Sequence, residues 1–162
     1  MSDPAPRGSK RAGAAMDCGS ASLARAARTV ARWLPAVAYV AANWYVSSLP
    51  QERIGSLPAP DWLLHATANL AFGAALRLGT GEGRGALARA GALLAAHAAV
   101  DEWHQSWVPG RSSSLSDWVA DVTGGLVGAV AVGWWWRLRR HGRRRAAAVL
   151  PAHEDLPGKP DS

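Results

Sequence analysis

Four apolar stretches, separated by short polar loops, make up the middle of the chain. They are 33–49, which has no charge; 62–79, charged only at Arg77; 86–100, charged only at Arg89; and 118–136, with Asp121 near its start. Each predicts a helix. A membrane-spanning helix needs roughly 20 mostly apolar residues, with about 17–25 tolerated. The first and fourth stretches come close to that. The second and third are short and alanine-rich, although the third can run on to Val108 as one helix. The stretches are apolar most of the way round, whereas a helix on the surface of a soluble bundle carries a single stripe at 3.6 spacing. The pattern therefore predicts an all-α, membrane-embedded bundle of four transmembrane helices over 31–137.

The flanks differ in kind. Residues 1–30 are small, polar and rich in Pro, Gly and Ser; residues 138–162 are basic and then polar, with Pro157 and Pro160. Neither buries enough apolar surface to order itself, so both are expected to be disordered tails. The mean hydropathy of −0.05 averages two wet tails and an apolar middle.

Charge sharpens the topology. The chain carries a formal charge of +6. With both termini and the 79–86 loop placed in the cytoplasm, every Lys and Arg except Arg53 and Arg111 lies inside, as the positive-inside rule requires. The run RLRRHGRRR follows WWW directly and is expected to lie against anionic lipid headgroups in preference to nucleic acid. The first stretch sits behind a long polar tail and ahead of more apolar segments, which favours an uncleaved anchor over a signal peptide. The nine tryptophans suit membrane interfaces. Trp103, Trp107 and Trp118 are expected to form an outer belt, and Trp134 to Trp136 an inner one. The single cysteine, Cys18, excludes a disulfide framework and any CxxC motif.

The ionisable groups of the middle concentrate in AVDEWHQSWVPGRSSSLSDWVADVTGG, 99–125, the outer end of the third and fourth helices and their loop. Pro109-Gly110 breaks the third helix, and Ser116 or Asp117 is expected to cap the fourth. Helical spacing puts His97, Asp101, His104 and Gln105 on one face, with Glu102 about 100° away. Tyr39, Asn43 and Ser47 share another face; His65, Asn69 and Gly73 a third; Asp117, Asp121, Gly124 and Gly128 a fourth. Polar stripes in lipid turn inward, which predicts an outward-opening, acidic pocket. The Gly124/Gly128 and Gly125/Ala129/Gly133 ridges suit close helix packing.

The sequence Asp101-Glu102-x-x-Gln105, then Pro109-x-Arg111, then Asp117, resembles the VanZ-like family of small bacterial membrane proteins. Asp61 and His65 match that family's D-K-x-x-H, with Trp62 in place of the lysine. Asn69 replaces an aromatic residue, and Asp121 replaces the usual Asn. The resemblance covers 33–136 and implies a four-helix membrane domain. Its pocket would comprise Asp61, His65, Asp101, Glu102, Gln105, Arg111, Asp117 and Asp121. The family's founding member is associated with resistance to the glycopeptide teicoplanin by a mechanism not established, most members have no assigned activity, and the resemblance fixes no reaction.

Two functions follow as expectations. In the first, a non-enzymatic envelope protein binds a lipid-linked cell-wall precursor or a glycopeptide. Arg111 holds an anionic group, and Asp101, Glu102 and Asp117 fix Arg111. No metal or cofactor is expected in that case. In the second, an intramembrane hydrolase or transferase acts on a lipid-linked substrate. His97, Asp101 and His104 hold zinc, with Glu102 or Asp117 as general base. A third possibility is that the same acids and Arg111 form only a structural ion-pair network. The oligomeric state stays open.

Overall fold

The computed structural model describes residues 8–55 and 58–149. Among them the fold is all-α: α1 (Gly8–Ser47), a single turn α2 (Gln51–Ile54), α3 (Asp61–Thr80), α4 (Ala86–Gln105) and α5 (Leu115–Val149). The four expected helices correspond to the later part of α1, to α3, to α4 and to the first part of α5. Helix also runs into both stretches expected to be disordered, back to Gly8 and on to Val149. The alanine and arginine there are strong helix formers, and every residue from 20 to 32 is exposed. Local propensity, without packing, therefore accounts for the extension. Positions 1–7 and 150–162 of the expected tails lie outside the described residues.

Pro35 lies inside α1. It marks a border, since Ala36 is the first buried residue of the helix. One turn back, Trp33 lies so close to Gly79 that a Cβ there would strike its ring. Pro60 leads into α3, and Gly81 at φ 72° ends it. Gly110 at φ 76° turns the chain after α4. The α5 N-cap is Ser114, two or three residues earlier than expected. Its hydroxyl accepts the backbone N–H groups of Ser116 (3.1 Å) and Asp117 (3.4 Å), which leaves Asp117 in the first turn.

α3 is the hub. It packs on α1, α4 and α5, while α1 and α5 do not meet. The α3–α5 seam is made by glycine. A Cβ on Gly124 or Gly128 would collide with the backbone carbonyls of Ala66 and Leu70, and one on Gly73 with that of Gly125. The ridge expected from sequence is thus a packing ridge. On the α4 side, Leu94 fills the space over Gly125. A small apolar core of Ala36, Phe72, Ala75, Leu76, Ala90 and Leu94 lies beneath Trp33 and Tyr39.

The rest of the burial pattern is inverted relative to a soluble protein. Ser47, Asn69, Asp101, Glu102, Gln105 and Asp121 are buried, whereas Leu63, Leu70, Leu93, Val100, Val127 and Trp134 are exposed. By length and composition one helix, Leu115–Ala146, is apolar enough to cross a membrane. The other three expected spans do not reach that hydropathy. Alanine contributes little, and their inward polar residues lower the mean.

The seam yields a prediction. Gly124→Ala should lower stability by about 1–3 kcal/mol through overpacking. Gly142→Ala, where nothing lies within 4 Å, should leave the protein as stable or up to about 1 kcal/mol more stable through helix propensity. Thermal denaturation in detergent followed by circular dichroism separates the two.

Candidate functional site

The close α3–α5 approach carries Asp121 of α5 against α3, where it is 1% exposed. His65 Nδ1 lies 3.0 Å from Asp121 Oδ1, and Asn69 Nδ2 donates to the same oxygen at 2.5 Å. His65 and Asn69 are one turn apart, so both reach one carboxylate.

A second buried carboxylate sits on α4. Asp101 Oδ1 accepts Asn43 Nδ2 from α1 at 2.9 Å, and Oδ2 accepts Gln105 Nε2 at 2.7 Å. The stripes read from helical spacing on α1, α3 and α5 thus do face inward. Glu102, about 100° round from Asp101, is buried as well. Its Oε2 accepts the Ser114 N–H at 2.7 Å, a bond that ties α4 to the start of α5. Its Oε1 is buried with no hydrogen-bond partner.

A cavity of about 580 Å³ opens beside these groups. Six of the eight residues expected in the pocket line it: Asp61, His65, Asp101, Gln105, Arg111 and Asp117. Glu102 and Asp121 do not line it, because their carboxylates are turned into the helix contacts behind it. Asn43, Ser47, Gln51 and Asn69 add polar wall. Of these, Gln51 was not expected, because it lies on α2, a turn too short to show periodicity.

Arg111 corrects the expected ion-pair network. Among the described residues no acid lies in ion-pair range of it. Its Nη1 donates to Gln51 Oε1 at 3.3 Å, and its Nε is buried without a partner. The acids around it are engaged by amide groups, and Gly110 turns the loop so that Arg111 meets α2. The ion pairs found among the described residues are His65–Asp121 and, at the far end, Arg140–Glu82.

The expected zinc set is not assembled either. His97 packs edge-on against Phe72, 4.6 Å between centroids, while His104 stacks on Trp44 and meets Ser48 Oγ at 3.0 Å. They leave Asp101 on opposite sides. Among the described residues, the group of three metal-capable side chains that does converge is His65, Glu102 and Asp121, with ligand atoms within 4.8 Å of one another. Sequence spacing gave no signal for it, because each residue comes from a different helix.

The tryptophans divide in two. Trp103 and Trp107 are exposed, whereas Trp118 Nε1 donates to the Ala95 carbonyl at 3.2 Å. At the other end the Arg139 guanidinium stacks over Trp135 at 3.9 Å, and Arg77 lies 5.2 Å over Trp136.

Asn69→Ala should cost about 1–3 kcal/mol, because it leaves a buried carboxylate short of a donor. Ser48→Ala at the exposed rim should change stability by less than about 0.5 kcal/mol. Thermal melts of the two variants make the comparison. Set beside known proteins, the chain matches no family model, no curated sequence and no solved structure, so the resemblance to VanZ-like proteins rests on the residue pattern alone.

Proposed function

We propose that the chain is a VanZ-like multi-pass protein of the bacterial cytoplasmic membrane, with four spans and both ends inside. Its outward pocket binds a polar envelope component, a lipid-linked cell-wall precursor or a glycopeptide, and so contributes to resistance of the teicoplanin type. The observation that carries this reading is the cavity, in which α1 to α5 and the α4–α5 loop gather a guanidinium, carboxylates and amides. Arg111 supports it further. With Nη1 on Gln51 and Nε unpartnered, the guanidinium keeps donors for a carboxylate or phosphate, which it can grip through paired N–H groups.

Two features support the membrane setting. Large apolar side chains face out while carboxylates and amides face in, as expected where lipid is the solvent. α3 and α4 have 20 residues each, about 30 Å of helix at 1.5 Å per residue, the thickness of a bilayer core. A second reading, a metal-dependent intramembrane hydrolase or transferase acting on a lipid-linked substrate, is favoured by the convergence of His65, Glu102 and Asp121.

Arg111→Ala and Asp101→Asn should each restore glycopeptide sensitivity to a host protected by the parent chain. Membrane insertion is checked by resistance to alkaline extraction. If both variants insert and still protect, the binding reading is wrong. Recovery of the parent protein in the soluble fraction without detergent would overturn the four-span topology.

A further inference from the structure

We infer that His65, Glu102 and Asp121 form a binding site for a divalent transition metal such as Zn²⁺ at the inner wall of the pocket. The three residues come from α3, α4 and α5, and one ligand atom of each lies within 4.8 Å of the others. A cation bound at about 2.0–2.2 Å closes that triangle when the side chains draw in by up to about an ångström. The 3.0 Å between His65 Nδ1 and Asp121 Oδ1 already suits two ligands of one ion.

Independent observations point the same way. Glu102 is 8% exposed and Asn69 is 5% exposed. Glu102 Oε1 and Asn69 Oδ1 are both buried acceptors without a hydrogen-bond donor. Asn69 Nδ2 is engaged by Asp121. Buried acceptors without donors are costly. So are two buried carboxylates with a single imidazole between them, since even a protonated His65 leaves a net negative charge. A divalent cation answers both. The donor set of one imidazole with two carboxylates suits Zn²⁺ or Mn²⁺. His65 and Asn69 line the cavity, whereas Glu102 and Asp121 lie behind it, so the ion sits at the boundary between the cavity and the helix contacts. The site stands on this geometry whether or not the pocket binds an envelope component.

The full chain, purified in detergent without a polyhistidine tag and stripped with EDTA, is titrated with Zn²⁺ by calorimetry. One equivalent should bind and raise the melting temperature. Asp121→Asn and Glu102→Gln should each weaken binding by about a hundredfold or more, beyond what losing an outer-sphere partner costs. His141→Ala, an exposed histidine far along α5, should bind like the parent. Co²⁺ should give a visible d–d band that the two site variants lack. Helical content and elution volume show whether the variants fold, and the parent's stoichiometry decides independently of them. No bound equivalent in the parent, or undiminished binding in folded site variants, overturns the site.

Discussion

The close approach of α3 and α5 through glycine is the constraint on which the rest depends. Gly124 and Gly128 bring α5 onto the carbonyls of Ala66 and Leu70, and Gly73 meets Gly125 backbone to backbone. At any larger separation Asp121 could not reach His65 and Asn69 together. The polar centre is thus a product of backbone proximity, and the small residues that carry no chemistry decide where the carboxylate ends up. α4 then closes over the pair, with Leu94 seated over Gly125. The Ser114 N–H bond to Glu102 brings the start of α5 back to α4.

This arrangement explains why so little of the interior is hydrocarbon. The apolar core is made of alanines with Phe72, Leu76 and Leu94, too little to hold five helices by burial alone. Carboxylate–amide bonds supply cross-helix links instead: Asn43 to Asp101 joins α1 to α4, and Asn69 to Asp121 joins α3 to α5. Such bonds are directional. They fix rotation about each helix axis in a way that alanine packing does not, and the same donors that hold the bundle also shape the cavity wall.

The sequence was most informative about faces and least informative about partners. A period of 3.6 is local, so it correctly set Asp101 with Gln105, His65 with Asn69, and Asp121 with Gly124 and Gly128. Which face meets which depends on contacts across tens of residues, and no single helix records them. Hence Glu102 looked as if it pointed away, although the Ser114 loop folds back to cover it. Arg111 looked like the partner of the acids, although α2 intercepts it through Gln51. His97 and His104 looked like a pair, although neighbouring aromatic rings hold them apart. The helical extensions were misread for a different reason: low hydrophobicity argued for disorder, while alanine and arginine propensity argued for helix, and propensity won.

Pro35 has a mechanical consequence. Without an amide hydrogen it cannot bond the Ala31 carbonyl, so the long first helix lacks a backbone bond just after Trp33, where packing begins. On one side lies an exposed rod bearing Arg25, Arg28 and Arg32; on the other the helix carries Tyr39, Asn43 and Ser47 into the bundle. Trp33, on the rod's side of Pro35, packs against Gly79 of α3, so the rod is held on the bundle before the helix enters it.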